Sequence, residues 1–115
     1  MRLRIEYCPE GGDPKAMELY SRGEIRELTY EAMDEVLKAD ITEAELTAIT
    51  RLLDSMDVTE DVPCRLADAI TLSYHSGGQA KFLFGVVGSP QFAALLDVWT
   101  ALERLRRRYF TPRFY

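Results

Sequence analysis

Residues 69–86, AITLSYHSGGQAKFLFGV, constrain the fold more than any other stretch of the chain. Ile70, Leu72 and Tyr74 alternate with Thr71, Ser73 and His75; beyond Ser76-Gly77-Gly78-Gln79, Ala80, Phe82, Phe84 and Val86 alternate with Lys81 and Leu83. A period of two is that of a pleated strand, and two glycines can take the positive φ angles of a tight turn. The stretch predicts a β-hairpin over 69–86. A hairpin is not stable alone, so other elements must cover it.

Two helices are predicted to do so. Thr42-Glu43-Ala44-Glu45 has the form of a capping box, and Leu46, Ile49, Leu52, Leu53 and Met56 follow at three- and four-residue intervals, giving a central helix over about 43–56. Ser89-Pro90 reads as an N-cap with proline in the first helical position. It opens a long C-terminal helix over about 90–108 whose apolar face holds Phe92, Leu95, Leu96, Val98, Trp99, Leu102 and Leu105. At the other end of the chain, Leu3, Ile5 and Tyr7 alternate with Arg2, Arg4 and Glu6, predicting a strand that stops at Cys8-Pro9.

Residues 14–28 admit two readings. Asp13-Pro14 resembles a helix start and Gly23 a helix stop, so a helix over 14–22 is preferred. The alternative is a pair of strands, Met17–Tyr20 and Ile25–Leu28, joined at Arg22-Gly23. A short helix is also expected before residue 40, with Tyr30, Met33, Val36 and Leu37 inward. The predicted class is α+β, a small antiparallel sheet packed against the two helices in one compact domain spanning 1–115.

Charge then limits the function. The net charge is −5, but residues 1–68 carry 8 Lys/Arg against 17 Asp/Glu, whereas residues 69–115 carry 6 against 2. The acidic first part is unsuited to binding a phosphate backbone, which needs positive charge. No window approaches the length of a membrane-spanning helix, and Met1-Arg2-Leu3-Arg4-Ile5-Glu6 is not a signal peptide, so an intracellular, cytoplasmic protein is expected. Cys8 and Cys64 lack metal or redox spacing and are expected as buried thiols.

The residues for chemistry are few. His75 is the single histidine, placed outward beside the hairpin turn, where the hydroxyl of adjacent Ser76 points to the other side of the strand. Asp54, Asp57, Glu60 and Asp61 form an acidic connector without metal-ligand spacing. The glycines of Phe84-Gly85-Val86-Val87-Gly88 lack the spacing and lysine of a phosphate loop. The order of two helices and a hairpin imitates a winged helix, but the stretch that would read DNA, Thr59-Glu60-Asp61-Val62-Pro63, is acidic and broken by proline. No enzyme, cofactor or metal is expected.

The basic tail holds Arg106, Arg107, Arg108, Tyr109 and Arg113. Arginines interleaved with aromatics suit stacking on single-stranded bases. They equally suit a helix C-terminus folded back on an acidic body, which is the preferred reading. Nucleic acid is the weaker partner class.

What remains is a protein that occupies the surface of another protein. The succession from DITEAELTAITRLLDSMDV through AITLSYHSGGQAKFLF to FAALLDVWTALERL resembles the emfourin-type inhibitors of thermolysin-like metalloproteases over about residues 40–105. The resemblance implies a small intracellular inhibitor with a sheet packed on helical elements. The family's glycine-containing N-terminal segment is matched by Glu10-Gly11-Gly12-Asp13, without the aromatic residue that usually follows. Carried over, this loop is the inhibitory edge, with Glu10 or Asp13 reaching the open coordination position of the protease zinc. Two alternatives stand beside it. One is an immunity or anti-defence protein whose acidic residues Asp54 to Asp61 mimic a polyanion against a toxin or nucleic-acid-handling protein; the other is a nucleic-acid module using the tail. The expected partner is thus another protein, a homodimer is compatible, and no membrane is involved.

Overall fold

The computed structural model describes residues 1–9, 13–32, 35–56 and 69–110. In chain order they form β1 (Arg2–Cys8), β2 (Lys15–Arg22), β3 (Ile25–Ala32), β4 (Glu35–Asp40), α1 (Glu43–Asp54), β5 (Ala69–Ser76), β6 (Gln79–Val86) and α2 (Pro90–Tyr109). The strands make one antiparallel sheet in the order β4-β3-β2-β1-β5-β6. The α+β class, the hairpin and both principal helices agree with the sequence reading.

The register explains the core. Leu3 lies between Leu19 and Tyr74, and Ile5 between Met17 and Leu72. The rows continue to Leu28 and Tyr30 on β3, and all of these side chains are buried. Because side chains alternate along a strand, one pairing fixes the face of every residue in the row. The apolar face made this way is the floor on which both helices sit.

Each helix starts where its cap dictates. Thr42 Oγ1 accepts the Glu45 N–H at 3.2 Å while Glu45 Oε1 accepts the Thr42 N–H at 2.8 Å, so the capping box is closed. Ser89 Oγ accepts the Phe92 N–H at 3.1 Å and its hydroxyl donates to the Val86 carbonyl at 2.8 Å. α2 begins against Gly85 of β6, passes Tyr7 of β1, whose ring lies 5.5 Å from that of Trp99, and ends with Arg106 stacked 5.0 Å over Tyr30 of β3. It therefore crosses the sheet obliquely. α1 leaves Ile41, whose carbonyl accepts from Arg26 Nε of β3 at 3.3 Å. In its last turn the Leu53 carbonyl accepts from Lys81 of β6 at 3.4 Å.

Three expectations are corrected. Residues 15–22 are strand β2 rather than a helix over 14–22, and the two-strand alternative is the observed one. Gly23, at φ 61°, serves the β2–β3 turn with the same left-handed backbone that a helix stop uses, so the local signal could not distinguish them. The short helix before residue 40 is instead the end of β3 and all of β4; Tyr30 and Leu37 pack inward, but Val36 is 58% exposed on the other face. Met33 lies outside the described residues.

The register also assigns the two faces of β6, which the alternation left open. Its more apolar set, Ala80, Phe82, Phe84 and Val86, faces away from the helices, while Leu83 is buried and Gly85 meets α2. The Gly77-Gly78 turn, with φ values of 56° and 80°, sets the pairing Leu72↔Leu83, which leaves Phe82 beside Ser73 and Phe84 beside Thr71. The third correction is Cys8, which is exposed because it ends β1 on that same outer face; Cys64 lies outside the described residues.

Candidate functional site

Opposite the helices, the sheet presents a face that no described element covers. At its centre is Arg4 of β1. Its Nε donates to Glu6 at 3.0 Å, Nη1 to Glu18 of β2 at 3.0 Å, and Nη2 to Glu31 of β3 at 3.3 Å. Partial burial works against the guanidinium charge, but the hydrogen bonds from Glu31, Glu18 and Glu6 outweigh it and hold the group firmly protonated. One positive charge against three negative ones leaves the cluster acidic.

The flanks differ. Toward β4, Lys38 lies 3.9 Å from Glu27, and Arg2 stacks 5.6 Å over Tyr20. Toward β6, Phe82 is 54% exposed and its ring meets that of His75 edge-on, with centroids 5.5 Å apart. Between these regions lies a depression of about 210 Å³ bounded by Arg4, Glu6, Thr71, Ser73, Phe82 and Phe84. Typical small-molecule pockets are roughly 300–1,000 Å³. This one has room for a single side chain, with carboxylate on one wall and phenyl rings on the other. A lysine or arginine from a protein partner combines the apolar stem and the charged head that such walls accept.

Of the residues expected to bind a partner, the described ones are Asp13 and Asp54, and they are not brought together. Glu10, Gly11, Gly12, Asp57, Glu60 and Asp61 lie outside the described residues. Asp13 is exposed just before β2, close to where Lys15 pairs with Tyr7. Asp54 is exposed at the end of α1, next to Leu53, which Lys81 holds at the level of Tyr74 and Leu3. Tyr7 and Leu3 are separated by about 13 Å of strand. These two acidic residues belong to opposite ends of the sheet. His75 is exposed, with a phenylalanine ring beside it.

The basic tail turns toward the protein's own body. Arg106 Nη2 donates to Glu103 at 2.7 Å while its guanidinium covers Tyr30, Arg108 lies 3.4 Å from Glu45, and the Tyr109 hydroxyl donates to the same carboxylate. Arg113 lies outside the described residues. Burial pushes the Glu45 carboxyl up, but hydrogen bonds from Tyr109 and Thr42 and the charge of Arg108 outweigh it and hold the carboxyl below its usual range. A carboxyl lowered on folding stabilises the fold above its unfolded pKa, and this contribution is lost as pH falls through the lowered folded value. Glu45→Gln is therefore expected to flatten the acid limb of a stability–pH profile measured by urea denaturation, with little change in slope above neutrality.

The Arg4 cluster went unforeseen because Glu18 and Glu31 were placed on helices. The available signal was the alternation Glu27, Thr29, Glu31, which puts all three on one side of a strand. Among the described residues no group of three or more metal-ligating side chains could hold an ion, and no helix is long and apolar enough to cross a membrane. In comparisons with protein-family models, curated proteins and solved structures, this chain matches none of them.

Proposed function

We propose that this chain is a non-enzymatic interaction protein that docks another protein on the helix-free face of its sheet and thereby blocks the partner's working surface. The observation that supports this reading is the acidic Arg4 cluster beside outward-facing Phe82 and Phe84. Aromatic groups next to partly desolvated charge are what specific protein interfaces use. The partner's matching feature is a basic side chain, set among apolar ones, that enters the depression between Glu6 and the phenyl rings. An acidic protein that engages a basic partner is also the form an immunity or anti-defence protein takes.

The finer reading, inhibition of a thermolysin-like metalloprotease by the loop of Glu10 to Asp13, is supported by resemblance of sequence pattern. It uses different residues, so the two can be separated. Affinity-tagged protein, expressed in its native host, is recovered at low and moderate salt and the bound proteins are identified. For the open face, Glu18→Lys with Glu31→Lys weakens the recovered partner on the order of tenfold or more, and binding of the unaltered protein falls with salt. Retention by that double variant, with loss in Glu10→Ala/Asp13→Ala, would overturn the open-face reading in favour of the loop. Because the reversals set two lysines beside the partly buried Arg4, the urea midpoint and circular dichroism of the double variant are measured alongside, and the comparison uses it only with its fold kept.

A further inference from the structure

We infer that the outer edge of β6 pairs with the same edge of a second copy, joining two sheets into one across a two-fold axis. This interface adjoins the partner contact proposed above: it is held by the backbone of one edge strand, and the phenyl rings of Phe82 and Phe84 border both.

The hairpin determines which atoms those are. Ser76 and Gln79 close the two-residue Gly77-Gly78 turn, so they form a hydrogen-bonded pair. Hydrogen-bonded and non-bonded pairs then alternate, and Lys81, Leu83 and Gly85 direct their backbone groups to β5. Ala80, Phe82, Phe84 and Val86 direct theirs away from it. Among the described strands none lies on that side, since β6 ends the sheet. The Val86 carbonyl is already occupied by Ser89, whose N–H and hydroxyl both donate to it. Among the described strands, the N–H groups of all four residues and the carbonyls of Ala80, Phe82 and Phe84 have no partner.

The two sheet edges are not equally protected. Natural edge strands carry charges, prolines or bulges that deter pairing. β4 has Glu35, Lys38 and Asp40 among its six residues. β6 is eight residues long with one charge, Lys81, which points to the helix side. Pairing β6 with β4 of another copy would be heterologous and would propagate into a polymer, whereas pairing β6 with itself closes after two copies.

The sequence of β6 is suited to self-pairing. In an antiparallel two-fold pair centred on Leu83, Phe82 of one copy exchanges both backbone hydrogen bonds with Phe84 of the other, and Val86 N–H reaches the Ala80 carbonyl. Outward-directed groups meet outward-directed groups. A two-fold axis between residues would instead set them against groups already committed to β5, so it is excluded. On the open face the phenyl rings of Phe82 and Phe84 lie directly across from each other, a cross-strand aromatic pairing that stabilises sheets. On the helix side Lys81 faces Gly85, which has no side chain to meet it. The odd placement of phenylalanines away from the core thus acquires a structural role.

Light scattering after size exclusion, across micromolar to submillimolar protein, reads the mass. Hydrogen exchange at low and high concentration reads the edge. The expected result is a dimer, with the Phe82 and Phe84 amides slowed by about tenfold or more at high concentration. Lys81 and Leu83 amides, bonded within the hairpin, are protected at both. Phe82→Lys and Phe82→Pro should each give a monomer; the first charges the edge, and the second removes only an outward N–H. Val36→Lys, on the opposite edge strand, leaves the mass unchanged. A monomer throughout the range would overturn the inference, as would a dimer that survives both Phe82 substitutions with the Phe82 and Phe84 amides still exchanging freely. Protection of those amides in a monomer only when a host protein is added would assign the edge to a foreign strand instead.

Discussion

Gly85→Val is expected to unfold this protein at a markedly lower urea concentration, with a loss of about 3 kcal/mol or more. A Cβ at position 85 would lie 2.6 Å from both the Cα and the N of Phe92 and 2.9 Å from the carbonyl carbon of Gln91. These are backbone atoms of the first turn of α2, so no side-chain rotation relieves the overlap. The helix must lift from β6. Lifting it opens contacts along its buried row, Phe92, Leu95, Val98, Trp99 and Leu102. Trp99 is the single tryptophan and packs on Tyr7, so its fluorescence reports on this displacement directly. Gly85→Ala should show the same shift in smaller degree. If both variants unfold at the unaltered midpoint, the close approach of α2 to β6 is wrong.

Leu19→Ala is expected to cost about 2–5 kcal/mol, a large share of the roughly 5–15 kcal/mol that holds such a domain together. Leu19 is fully buried and paired between Leu3 and Leu28, which are fully buried too. Three adjacent central strands meet at this row, so the neighbours cannot collapse into the space without moving the sheet. The cavity would persist. Urea denaturation at fixed protein concentration should show a lower midpoint with an unchanged slope. Had residues 14–22 been a helix on the surface, the same substitution would trade one good helix former for another at small cost. A change below about 0.5 kcal/mol would therefore challenge the β2 pairing itself.

Legibility along the chain followed the range of the interactions involved. The hairpin over 69–86, the capping box at Thr42 and the cap at Ser89 were readable because each is decided within a few residues. The β2–β3 hairpin was not. Pro14 and Gly23 fit the ends of a helix as well as the ends of a strand, and Met17 and Leu19 gain their burial only by lying between β1 and β3. The faces of β6 were left open for a related reason. Phe82 and Phe84 look like core residues by hydropathy, yet the turn assigns the inside to Leu83 and Gly85. The candidate site went unread for both reasons, since Glu18, Glu31, Phe82 and Phe84 could not be placed on one surface without the register.

The sequence by itself determined the α+β class, the two capped helices, a strand over residues 2–8 and the electrical asymmetry of the chain. Each depends on local backbone preference, on periodicity or on counted charge, and needs no knowledge of distant residues. Only the tertiary structure decided which side of each strand faces water. Side chains alternate along a strand, so a single step of register exchanges the inner and outer rows completely. The acidic Arg4 cluster, the outward phenylalanines and the exposed β6 edge all follow from that choice. It is made by pairings between strands that are far apart in the chain.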